Sequence, residues 1–173
     1  MRAIVMIEES TLMGRNGWRN TPMKQVALAA MIVAGAAASA ISAEVAPADV
    51  KFEDMEVKTS LTGAAGNPEE GAKTLASRSL GNCLACHAVQ ALSKEQFHGD
   101  VAPSLDGVAD RWTPEQLRAI VVDAKQVFTE ESMMPGFYSL NVGVNVREDL
   151  VGKTILTAQQ VEDVVAYLAT LKE

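Results

Sequence analysis

Residues 81–90 read GNCLACHAVQ, and Cys83 and Cys86 within them are the only cysteines of the 173-residue chain. His87 follows directly, so the stretch is a Cys-x-x-Cys-His run with no second cysteine pair elsewhere. A thioredoxin-like dithiol would sit in a βαβ context, and no such pattern surrounds it. A structural zinc site usually takes four ligands, and the chain supplies no further Cys pair. A disulfide across two intervening residues would staple very little. Covalent attachment of a c-type haem accounts for all three residues together. On one helical turn, residues three apart project to the same side, so both sulfurs can form thioethers to the two vinyl groups. His87 then offers its imidazole to the iron as proximal ligand.

The sixth ligand is sought among few candidates. Besides His87 the only histidine is His98, in the polar Phe97-His98-Gly99-Asp100 loop, where an exposed surface histidine is the plainer reading. Beyond residue 43 the methionines are Met55, Met133 and Met134. Met133-Met134-Pro135-Gly136-Phe137 has no helical periodicity, and a loop methionine is more often core filler than a ligand. Given a haem, that preference reverses, and Met134 beside Pro135 is the first choice, with Met133 its neighbouring alternative. The Pro103 carbonyl, in Ala102-Pro103-Ser104-Leu105, is expected to accept from the free imidazole nitrogen of His87. Arg111 and Trp112 are candidate donors to the haem propionates, a solvated charge and a core aromatic being their plainer roles.

Working outward, three helices are expected. Asn67-Pro68-Glu69-Glu70 combines an N-cap, a proline at the first helical position and acids in the first turn, predicting a helix to about Leu80 with Gly81 stopping it. Thr113-Pro114-Glu115-Gln116 opens a second helix with a capping box and the apolar stripe Leu117, Ile120, Val121, Ala124. Thr157-Ala158-Gln159-Gln160 opens a third, with Val161, Val164, Val165, Leu168 and Leu171 at 3.6-residue spacing to the C-terminus. Tyr167 is expected to pack on the first helix near Gly71. The loops 97–112 and 129–156 lack sustained alternation, although 141–147 admits a short strand. With 5% aromatics the helices alone would bury a meagre core, and long loops suggest a large apolar cofactor within them.

The first 43 residues form a different region. The uncharged run 26–43, VALAAMIVAGAAASAISA, follows Lys24 and ends in small residues, the grammar of a cleaved secretory signal rather than a retained anchor. Glu8 and Glu9 fit this poorly, and Met23 looks a more natural start than Met1. Residues 44–66 mix charge with Pro, Gly and Ser and read as an arm, extended or disordered until a partner binds it. The whole chain carries −7; without residues 1–43 it keeps 11 basic and 20 acidic side chains, a net charge of −9. That balance argues against a nucleic-acid partner.

The order of helix, CxxCH, Pro-Ser-Leu loop, Met-Pro loop and final helix resembles a class I cytochrome c, an all-α fold of three to four helices and loops wrapped around one covalent haem. Finer wording, in LTGAAGNPEEGAKTLASRSLGNCLACHAV, VAPSLDGVADRW, MMPGFY and ILTAQQVEDVVAYLATLK, closely resembles the SoxX family of monohaem cytochromes over residues 61–172. The resemblance implies haem thioethers at Cys83 and Cys86 and axial ligands at His87 and Met134. It also implies a periplasmic heterodimer with a SoxA-type cytochrome, the SoxAX complex, an L-cysteine S-thiosulfotransferase. That complex oxidatively joins thiosulfate to a cysteine of the carrier SoxYZ, with the bond-forming haem on SoxA. The SoxX subunit would pass the electrons to a downstream cytochrome. Ala102 departs from the family's usual glycine before Pro-Ser-Leu, and Met133-Met134 doubles the ligand candidate. The rival readings are a free-standing periplasmic electron shuttle and a haem sensor.

Overall fold

The computed structural model describes residues 43–173, so the expected signal segment and the start at Met23 lie outside the described residues, Ala43 excepted. Four α-helices follow in order, α1 (Pro68–Ala76), α2 (Val108–Arg111), α3 (Pro114–Val127) and α4 (Ala158–Leu168), joined by loops with single 3-10 turns. Each long helix starts where its cap chemistry directs. Asn67 accepts from the amides of Glu69 and Glu70, and Thr113 and Thr157 form reciprocal capping boxes with Gln116 and Gln160.

The inward stripes build one core. Leu75 of α1, Leu117, Val121 and Ala124 of α3, and Val161, Val164, Val165 and Leu168 of α4 are all buried, with Leu171 just beyond the last helical turn. Each such Val or Leu side chain is worth about 1.5–3 kcal/mol when removed from water. α1 crosses α4 at Gly71, where a Cβ would run into the Asp163 carbonyl and crowd the Cβ of Tyr167. Tyr167 thus meets α1 at Gly71 through its Cβ, and the missing side chain lets the backbones approach.

Three expectations change. α1 ends at Ala76 instead of near Leu80, because Ser77 is already extended (φ −70°, ψ 121°) and its amide closes on Lys73 O. The chain then folds back, with Gly81 N donating to Thr74 O and Asn82 N to Ser77 O. Residues 141–147 form no strand: Gly143 has φ +122° and no neighbouring segment pairs with them, and the described residues contain only the isolated bridge Glu53–Glu56.

The arm 44–66 is also ordered against the domain rather than free. Val57 and Leu61 are buried at 3% and 0% exposure. Arg118 of α3 and Glu162 of α4 form a buried bidentate pair (Nε–Oε1 2.9 Å, Nη2–Oε2 3.0 Å). Their remaining capacity binds the arm, Arg118 Nη1 donating to Val57 O at 2.9 Å and Leu61 N to Glu162 Oε1 at 2.7 Å. Composition hid this, because the arm's two apolar anchors are isolated among polar residues.

Candidate functional site

Asn82, in the left-handed region at φ +49°, turns the chain from α1 into a 3-10 turn at Cys83–Ala85. Cys86 N and His87 N both donate to Cys83 O, so the two cysteines and the histidine share one tight turn. The cysteines are not joined to each other; Cys83 is half-buried and Cys86 exposed. Burial pushes the Cys83 thiol up to about 12, the opposite of the lowered value that makes a nucleophilic dithiol. Among the described residues no group of three or more His, Cys, Asp or Glu could hold a metal ion by itself.

The turn is braced on two sides. Gly99 N donates to Leu84 O at 2.7 Å, and a Cβ on Gly99 would collide with the Ala85 carbonyl, so the 97–99 loop lies directly on the turn. Phe97 there has φ +69°, is 69% exposed and carries the Arg78 guanidinium 4.2 Å from its ring centroid. On the other side Ala102 N donates to Cys86 O and Leu105 N to Ala88 O. That registers Pro103 beside His87, whose Nδ1–H donates to Pro103 O at 2.6 Å. The imidazole is thereby fixed as the tautomer whose Nε2 lone pair is free to bind a metal.

His98 is engaged locally: Val89 N donates to its Nδ1 at 3.3 Å and its Nε2–H donates to Leu92 O at 3.0 Å. Both ring nitrogens are occupied, and no sixth-ligand role is left for it. Arg111 donates from Nη1 to Asp106 O and from Nη2 to Ser104 O, bracing the Pro103 loop. Trp112 is half-buried and meets Phe128 edge-on, with ring centroids 5.9 Å apart.

The Met-Pro loop hangs from α3. At Asp123 (φ −158°, ψ 97°) the helix is interrupted, and the carbonyls of Val121 and Val122 accept instead from Phe137 N and Tyr138 N. Lys125 Nζ donates to Glu130 O and Ser132 O, holding the near end of the loop. Met133 is 80% exposed, whereas Met134 is half-buried against the core. Tyr138, 2% exposed, donates to Glu44 Oε1 at 2.9 Å and Val45 O at 2.8 Å. Asp123, Lys125, Tyr138 and Glu44 carried no sequence signal, since neither a loop motif nor a periodicity joins them.

Two thiols, an imidazole with one free nitrogen and a half-buried thioether are the donor set that a covalent haem requires, and these residues fit it. Residues 68–172 match the family model described as cytochrome c. Among solved structures, the chain is similar to the crystal structure of SoxXA from P. pantotrophus at 49% identity and a TM-score of 0.69, covering 75% of this chain and 99% of that one. No curated protein sequence matches.

Proposed function

The chain belongs to the SoxX group of the cytochrome c family, and from that premise we propose that one haem c is held by Cys83 and Cys86 through thioethers, with His87 Nε2 and Met134 as axial ligands. Residues 67–173 are the haem domain, and residues 1–43 direct export to the periplasm and are removed. There the protein pairs with a SoxA-type subunit. It accepts electrons released when that subunit couples thiosulfate to a cysteine of SoxYZ and relays them to a downstream cytochrome. When bound, the haem supplies a one-electron couple.

The chain's own residues orient and tune that group. The Pro103 carbonyl fixes the His87 ring and raises its basicity as a ligand. The Met134 thioether would be the second protein donor to the iron beside His87 and would favour its reduced state. Arg111, bonded to the Pro103 loop, and Trp112, its neighbour in sequence, are the candidate donors to the anionic haem edge. No step here needs a nucleophile from this chain.

The observation that carries the reading is the His87–Pro103 hydrogen bond on a turn whose two thiols are both free. Replacing Met134 by alanine should abolish the methionine-to-iron charge-transfer band of the ferric protein, while Met133→Ala should leave it. The reverse result would move the ligand by one residue. Co-purification of a second haem subunit expressed from the same operon supports the complex; a protein that stays monomeric beside it favours the free-standing shuttle. Rapid carbon monoxide binding at neutral pH would favour the sensor.

A further inference from the structure

The arm and the Met-Pro loop meet at a contact that core packing alone does not require. Tyr138 lies four residues after Met134, its ring buried and its hydroxyl shared between the Glu44 carboxylate and the Val45 carbonyl. Val45 N in turn donates to Leu61 O at 2.7 Å, and Leu61 N to Glu162 Oε1, so the two ends of the arm are tied together and then to α4. The loop is suspended at its other contacts from α3, through Val121 O, Val122 O and the Lys125 ammonium. Leu156 N closes on Phe137 O from just before α4. Without the arm, the outer end of the loop would keep its backbone bonds and lose the side-chain tie.

We infer that residues 44–61 act as a strap on the distal loop and that Tyr138 is a positioning residue, acting through Glu44 and Val45 to hold Met134 in place and slow its displacement by other ligands. The inference rests on Met134 being the sixth ligand. A thioether is a weak donor to ferric iron, so the loop's rigidity governs how often the position opens, and the Tyr138 hydroxyl is the side-chain tie that joins the loop to the arm. Removing the hydroxyl keeps the ring and its burial while cutting the strap from the loop.

The test uses the haem-loaded ferric protein with imidazole as the entering ligand. Tyr138→Phe should speed imidazole association about tenfold, weaken the methionine band and raise amide exchange at Phe137. Asn67→Ala, which removes the α1 cap and touches neither Tyr138 nor its acceptors, should lower the unfolding midpoint without changing the association rate. Lys58→Ala, at an exposed ion pair of the arm, should change neither. A Tyr138→Phe rate equal to that of the unaltered protein overturns the inference, as does an equal acceleration in Asn67→Ala, which would make the effect one of global stability. If the unaltered protein shows no methionine band, the ligand assignment itself fails and the inference falls with it, a result distinct from the other two.

Discussion

Tyr167 is buried on α4 with its Cβ against Gly71 of α1, and its hydroxyl is buried without a hydrogen-bond partner among the described residues. Such an orphan costs about 1–3 kcal/mol of desolvation, so Tyr167→Phe should leave the urea unfolding free energy unchanged or raise it by about 1 kcal/mol. A loss of comparable size would mean that the hydroxyl finds a partner in the haem-loaded protein. The glycine opposite is less forgiving. Gly71→Ala drives a methyl group into the Asp163 carbonyl, a backbone atom that cannot rotate away, and should cost about 3 kcal/mol or more in the same measurement. At this scale the sequence was informative wherever the chemistry is local. The tight turn that gathers Cys83, Cys86 and His87 is legible in five consecutive positions, and the Gly71–Tyr167 contact in two helices of evident polarity. Tyr138 was illegible because both its acceptors come from a polar arm far away in the chain.

Among elements, the helices were placed well at their starts and less well at their ends. A start is set by a side chain on the spot, such as Asn67 or Thr113, whereas α1 stops at Ser77 for the sake of the turn that follows it. The interruption of α3 at Asp123 has no proline or glycine to announce it; it exists because the Met-Pro loop takes up the carbonyls of Val121 and Val122. The join between α3, α4 and the arm rests on Arg118 and Glu162, whose side chains are 11% and 5% exposed. Glu162→Gln keeps the shape but leaves the guanidinium uncompensated in a dry site, and should cost about 3–5 kcal/mol. Replacing both partners by methionine should recover much of that loss, if the cost is one of unpaired charge. Urea midpoints of the single and double variants decide the matter.

For the molecule as a whole, the two buried tyrosines set an alkaline limit. Burial, then the Glu44 carboxylate, raises the Tyr138 phenol, and burial, then Asp106, raises that of Tyr167. Below the ordinary tyrosine value of about 10 both states hold these protons and their contribution is complete. As pH climbs past it, the unfolded chain ionises first while the folded protein must keep its protons, so stability drains away. Guanidinium unfolding between pH 8 and pH 12, chosen to bracket that value, should show this decline, and Tyr138→Phe should flatten it. The all-α, haem-enclosing architecture was legible from caps, stripes and the CxxCH turn. The arm's attachment was not, because it depends on contacts between segments with no shared pattern.

That attachment also imposes an order of events. Leu61 bonds to a residue 101 positions later, and Glu44 is bonded by one 94 positions later. A chain that emerges N-terminus first cannot close the second contact until the Met-Pro loop has followed, or the first until α4 has. Cys83 and Cys86 therefore emerge well before the strap can be fastened. The interval in which the thiols are open to modification is written into chain order, with no need for the finished fold to reopen.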